Sequence, residues 1–150
     1  MRREVFGFKL SKVISYQLIK CMLKKKEIYT KNAPPALGSY SQAVLIERTL
    51  YISGQIALDA QGQKMQNKNI TTETQQVFSN LSAVLTAGGA TVNNIVRVDI
   101  FLTDINDFTI INNLYEQWLG NIQIKPARQT VQVNALPKCA RIEISCIAHI

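Results

Sequence analysis

Histidine is almost missing from this chain: His149, one residue from the C-terminus, is the only one in 150 residues. That scarcity argues against histidine-rich zinc sites, Ser-His or Cys-His triads and the paired-histidine chemistry of ribonucleases. Any chemistry performed here has to run on carboxylates, arginine, tyrosine, amides and backbone. Cysteine is nearly as scarce. Cys21, Cys139 and Cys146 are odd in number and show no C-x-x-C spacing, so they read as reduced, structural thiols of an intracellular protein. Long apolar runs are missing too. Lys9, Lys12 and Lys20 interrupt the apolar stretch near the start, which leaves neither a transmembrane length nor the apolar centre of a secretory signal.

Excess negative charge is absent, and the positive excess is confined to one end. The formal net charge is +7, and residues 1 to 31 hold nine Lys/Arg against two Glu, which accounts for all of it. Residues 32 to 150 hold eight basic and eight acidic side chains. The folded part therefore carries no net pull on phosphates, which weakens a nucleic-acid reading of the domain. Lys24-Lys25-Lys26 reads as a solvated run rather than a lipid or nucleic-acid patch. Two readings of the leading segment stay open. It is a basic, acid-poor transit peptide, which would make the protein mitochondrial, or an extension upstream of a true start at Met22 in a cytoplasmic protein. In both, residues 1 to 30 are expected to be poorly ordered or loosely docked, and 31 to 150 form a single domain.

What is present is one core's worth of apolar residues, 47% of the chain, arranged with clear periods. "AVLIERTLYISGQIAL" reads as a hairpin turning at Glu47-Arg48, with Ser53-Gly54 interrupting the second strand. A glycine inside a strand often marks close approach by a ligand or another backbone. Gly62 turns the polar loop that follows. A helix is expected from Thr71 or Thr72, with Thr72 and Gln75 at capping-box spacing, buried along Val77, Leu81, Val84 and Leu85 and stopped by Gly88-Gly89. "NNIVRVDIFLTD" alternates Val96, Val98, Ile100 and Leu102 against Arg97, Asp99 and Phe101, a strand pattern.

The second helix, about 107 to 119, places Phe108, Ile111, Tyr115, Trp118 and Leu119 on one stripe, with Tyr115 and Trp118 as core residues. Asn112 projects inside that stripe, either as a satisfied core amide or as a site residue. Strands are expected at 129 to 135 and 140 to 148, joined by a tight turn at Pro137-Lys138. In the last strand Ile142 and Ile144 face one way, and Arg141, Glu143 and Ser145 the other. The order β-β-α-β-α-β-β, with both helices returning to one sheet, defines an α+β sandwich with helices on one face. The other face has to be covered, and a partner subunit is the natural cover.

The segments "APPALGSYSQAV", "YISGQIALD", "FLTDINDF..INNLYEQW" and "KPARQTVQVNALPKCARIEI" resemble the RidA/YjgF family of reactive-intermediate deaminases, labelled endoribonuclease L-PSP in older usage. The resemblance runs from about residue 32 to 148. It implies a homotrimer of chorismate-mutase-like subunits with sites between neighbours. The implied activity is hydrolysis of 2-iminobutanoate and 2-iminopropanoate to 2-keto acids and ammonia, without metal or cofactor. Carried over motif by motif, it implies Arg128 as clamp of a small anionic substrate's carboxylate and Glu143 as holder or activator of the attacking water. Tyr40 would line the pocket, Asn112 would join the site, and Gly54 would let backbone approach the ligand. Thr130 would supply a main-chain amide that polarises the imine.

Three positions depart from the pattern. Ser39 replaces the proline usual before the tyrosine, Ser145 (followed by Cys146) replaces a second glutamate, and Lys125 stands where an aromatic residue is common. Two alternatives are weighed beside the deaminase: an endoribonuclease or translation inhibitor, and a non-catalytic small-ligand or chaperone-like trimer. Neither a nucleic acid nor a membrane is an expected partner.

Overall fold

A computed structural model describes residues 24–150. The basic segment before Lys24, with Cys21 and Met22, lies outside the described residues. Six strands form one mixed sheet: β1 (Lys25–Ile28), β2 (Ala43–Ile46), β3 (Thr49–Gln55), β4 (Ile95–Leu102), β5 (Ala127–Gln132) and β6 (Ile142–His149). Their order across the sheet is β1-β2-β3-β6-β4-β5, antiparallel throughout except for the parallel pair β4–β5. Two helices, α1 (Ile70–Ala87) and α2 (Phe108–Leu119), connect them.

The apolar alternation decides the layers. Leu50, Ile52, Val98, Ile100, Leu102, Ile142, Ile144 and Cys146 form one buried face of the sheet, and they pack with Val77, Leu81, Val84, Leu85, Ile111 and Leu119 from the helices. The α+β class is found, and so are the predicted helix stripes, except that Phe108 at the start of α2 is exposed. The Glu47-Arg48 hairpin is found as well, where Glu47 takes the left-handed conformation such a short turn needs.

Four further details differ from the sequence expectations. The capping box of α1 lies at Asn69–Thr72 rather than at Thr72–Gln75: the Asn69 side chain accepts from the Thr72 amide at 2.9 Å, and Thr72 Oγ1 in turn accepts from the Asn69 amide. Asparagine is as good a cap as threonine, so Ile70 starts the helix and becomes buried. Val96 is exposed and Ile95 buried, because the β4–β6 register shifts between Ile95 and Arg97 and reverses the alternation there. The folded part also begins before residue 31, since Lys25–Ile28 pairs with Ile46–Ala43 and buries Ile28.

The fourth correction concerns β5 and β6, which span 127–132 and 142–149 and are not neighbours. The tight turn exists, with Lys138 and Cys139 both left-handed, but β4 lies between β5 and β6, so the turn does not close a hairpin. The connection crosses the end of β4, where Val133 donates to the Leu102 carbonyl and Thr103 to that of Arg141, and β6 inserts between β3 and β4.

Candidate functional site

Cross-strand neighbours share a face of a sheet, and successive residues alternate. Arg128 pairs with Val98, and Val98 with Cys146; Thr130 pairs with Ile100. Arg128 and Thr130 therefore stand on the helix side. Glu143 lies between the buried Ile142 and Ile144 and points to the opposite, open side. The residues implied as one site thus fall, within a single chain, into two groups on opposite faces.

The first group surrounds Arg128 on edge strand β5. Its Nη1 donates to Asn112 Oδ1 at 2.8 Å, and its guanidinium carbon lies 4.9 Å from the Tyr115 ring centroid and 5.6 Å from that of Phe108. Asn112 is only half-buried. Its Nδ2 donates to Glu116 Oε1 at 3.2 Å, so both ends of the amide are used. Asn112 is thus joined to Arg128 and Glu116 rather than sealed in the core. Arg128, Asn112, Tyr115, Glu116, Lys125 and Pro126 border a cavity of about 350 Å³. Lys125 is tied back through Nζ to the Gly120 carbonyl at 3.0 Å. The Thr130 hydroxyl is buried without a hydrogen-bond partner.

The second group surrounds Glu143. The pairing of β3 with β6 skips between Ile52 and Gln55, so Ser53-Gly54 breaks the ladder as the sequence suggested. A Cβ at Gly54 would lie 2.0 Å from Glu143 Oε1 and 2.8 Å from its carboxyl carbon. Gly54 is therefore needed by the carboxylate, which lies against its backbone. Glu143 has no hydrogen bond or ion pair among the described residues, and burial pushes its carboxyl above the usual range.

Tyr40 is half-exposed at the mouth of a second cavity, of about 270 Å³, together with Pro34, Pro35, Gly54, Gln55 and Lys138. Its hydroxyl accepts from the Leu37 amide at 3.2 Å and its own amide donates to the Gly38 carbonyl, which closes the loop that contains Ser39.

Two supports were not read from the sequence. The buried Gln42 accepts from the Thr30 amide at 2.7 Å and donates to the carbonyls of Thr30, Ala33 and Pro34, pinning the loop that leads to Tyr40. Its signal was a polar residue in the strand-like "SYSQAVL" run. Arg141, expected on the face of Glu143, precedes β6 and turns to the helix side. There its amide and Nε meet the fully buried Glu73 of α1 at 2.7 and 3.0 Å. That pair anchors the start of the strand that carries Glu143.

Cys146 is buried, and its thiol is pushed up to about 12 by desolvation, which leaves it inert; Cys139 is exposed and free. The His149 ring lies at the far end of β6, 3.4 Å from the Thr49 hydroxyl. Among the described residues no three His, Cys, Asp or Glu side chains gather as metal ligands, and no helix is long and apolar enough to cross a membrane.

A mixed sheet backed by two helices defines a small α+β protein, with an arginine and a carboxylate presented on opposite faces of the sheet. The sequence model of the Endoribonuclease L-PSP family matches residues 30–150, and the chain belongs to that family, the Rid proteins. It is 44% identical over 125 residues to the rat 2-iminobutanoate/2-iminopropanoate deaminase, covering 83% of this chain and 89% of the relative. A Rid-family protein of Yersinia pestis superposes with a TM-score of 0.82 at 42% identity, over 85% of this chain and all of the other. Escherichia coli TdcF with bound serine superposes at 0.79 and 35% identity, over 83% and 98%.

Proposed function

We propose that this protein is a hydrolytic deaminase of 2-iminobutanoate and 2-iminopropanoate, working as a homotrimer in which one chain's Arg128 meets the next chain's Glu143. The observation that carries this reading is the split of the two groups between opposite faces of one sheet. Neither group alone can bind an imino acid and activate water, and a second copy laid on the open face supplies the missing half. The identity to the mammalian imine deaminases and the serine bound to the TdcF relative support a small α-substituted carboxylate as ligand.

In the assembled site the substrate carboxylate is held bidentately by the guanidinium of Arg128, whose third contact is Asn112. Water attacks the imine carbon while Glu143 takes its proton and passes it to the imine nitrogen, which gives the neutral carbinolamine. Glu143 then takes the carbinolamine's hydroxyl proton and delivers it to the departing nitrogen as the C–N bond breaks and the keto group forms, and ammonia and the 2-keto acid leave. A carboxyl raised by burial suits both halves of that cycle, because it sits nearer the working pH. The substrate is already electrophilic, so positioning and one proton carrier suffice.

Coupling a threonine dehydratase to the protein and following 2-ketobutyrate release tests the reading. Acceleration over spontaneous hydrolysis is expected, and none at any protein concentration would overturn it. The endoribonuclease reading is left with no histidine near either group. It predicts RNA cleavage that survives nuclease-free preparation and disappears with Glu143→Ala.

A further inference from the structure

Arg128 is exposed on an edge strand, where a long side chain ordinarily samples many rotamers. Here one helix face holds it. Phe108, Asn112, Tyr115 and Glu116 recur at i, i+4, i+7 and i+8 along α2, and all but the last touch the guanidinium. The Tyr115 ring is the more rigid of the two aromatic supports. It is buried, packs tilted against Phe78 and Trp118 at 6.2 and 6.1 Å, and those two stack at 4.6 Å. Trp118 is in turn fixed by its Nε1 donating to Ser82 on α1 at 2.9 Å. Phe108 is more exposed and stands farther from the cation.

The Tyr115 hydroxyl is buried and has no hydrogen-bond partner, so it does not hold the arginine. The ring face does. Glu116 adds a second constraint. By accepting from Asn112 Nδ2 it turns the amide so that Oδ1, the only acceptor on that side chain, faces the guanidinium.

We propose that α2 is the aiming device of the anion clamp, with Tyr115 acting as a positioning residue for Arg128 through its ring face, and with Phe108 and the Glu116–Asn112 chain fixing the roll of the guanidinium. The inference rests on the deaminase reading only for its kinetic readout. The geometry has a readout of its own, because a guanidinium over an aromatic face has ring-shifted side-chain proton resonances.

The experiment compares Tyr115→Phe, Tyr115→Leu and Phe108→Leu by kcat/KM with 2-iminobutanoate, by thermal melting, and by the Arg128 Nε–H resonance, assigned from its loss in Arg128→Ala. Tyr115→Phe is expected to keep activity within about twofold, to melt no lower than the parent because an unpartnered buried hydroxyl is removed, and to keep the shifted resonance. Tyr115→Leu is expected to lose roughly twofold to thirtyfold in kcat/KM, mainly through KM, and to lose the ring shift. Phe108→Leu shows the same pattern at smaller size and carries the test if Tyr115→Leu does not fold.

Equal damage from Tyr115→Phe and Tyr115→Leu would overturn the proposal in favour of the hydroxyl. Full activity and an unmoved resonance in Tyr115→Leu would overturn it outright. A parent without deaminase activity whose resonance is shifted, kept by Phe and lost by Leu, would uphold the clamp and remove the deaminase reading.

Discussion

Arg128 and Glu143 are held by different physics on the two faces of the same sheet. The arginine is exposed, yet its contacts are specific: an amide oxygen at 2.8 Å and two aromatic rings. The glutamate is half-buried, yet it has no hydrogen-bond partner among the described residues. Its place is set by shape, in the gap left by the missing side chain of Gly54. A cation that must grip an anion without moving profits from preorganised contacts. A carboxylate that must take and return a proton profits from partial desolvation and from the absence of partners that would pin it in the charged form. The edge strand beside a helix provides the first environment, and the bulged centre of the sheet provides the second.

The largest break of this contrast is removal of the proposed proton carrier. Glu143→Gln keeps the shape of the side chain and is expected to lower kcat by about 10²–10⁴-fold, with little change in substrate binding, measured by steady-state kinetics. Arg128→Ala is expected to cost on the order of tenfold to several-thousandfold in kcat/KM; activity within twofold of the parent would remove Arg128 from the mechanism. The two variants also test whether the faces meet across chains. In the proposed homotrimer, unfolding and refolding the two together would give mixed trimers in which some interfaces pair an intact Arg128 with an intact Glu143. A regain of activity over either variant alone is expected, and the absence of any regain in verified mixed trimers would place the two groups in separate sites.

A smaller loss is expected from Gly54→Ala, on the order of tenfold to a hundredfold, because the new methyl group displaces the carboxylate rather than removing it. The melting temperature should fall little, since the far end of a flexible side chain can yield; a large fall with full activity would contradict the shape argument.

The smallest effect is in pH dependence. The Glu143 carboxyl is raised by burial, so kcat/KM should fall as pH drops through a value above the ordinary carboxylate range. Its contribution to stability runs the other way, fully present at low pH and lost as pH rises through the raised value. If Arg128 of a neighbour faces Glu143, Arg128→Ala removes a nearby cation and moves the acid limb upward in pH. A limb that does not move in that variant would separate the two faces.

Much of this was readable in the chain. The 3.6-residue period located both helices, the alternation located β3, β4 and β6, and Ser53-Gly54 was marked as a break in a strand before Glu143 was seen lying against it. The unread parts share a cause: they depend on which distant segments become neighbours. The β5–β6 pair looked like a hairpin because sequence cannot show that β6 pairs with β3 and β4, on the other side of β4 from β5. Lys25–Ile28 looked like part of a charged leader because its edge pairing is with a strand eighteen residues later. Gln42 drew no reading, and Arg141 was expected on the face of Glu143, because their partners, the Ala33–Pro34 carbonyls and Glu73, are brought to them only by the fold.

By itself, the sequence determined the reaction chemistry still available, through its single histidine and neutral core, and the layered α+β class, through periods that are local properties of the backbone. It also carried the motifs that place the chain in its family. Only the tertiary structure decided that Arg128 and Glu143 face opposite ways. That fact depends on strand register and on the insertion of β6 between β3 and β4, and it divides the residues read as one site between the two faces of the sheet.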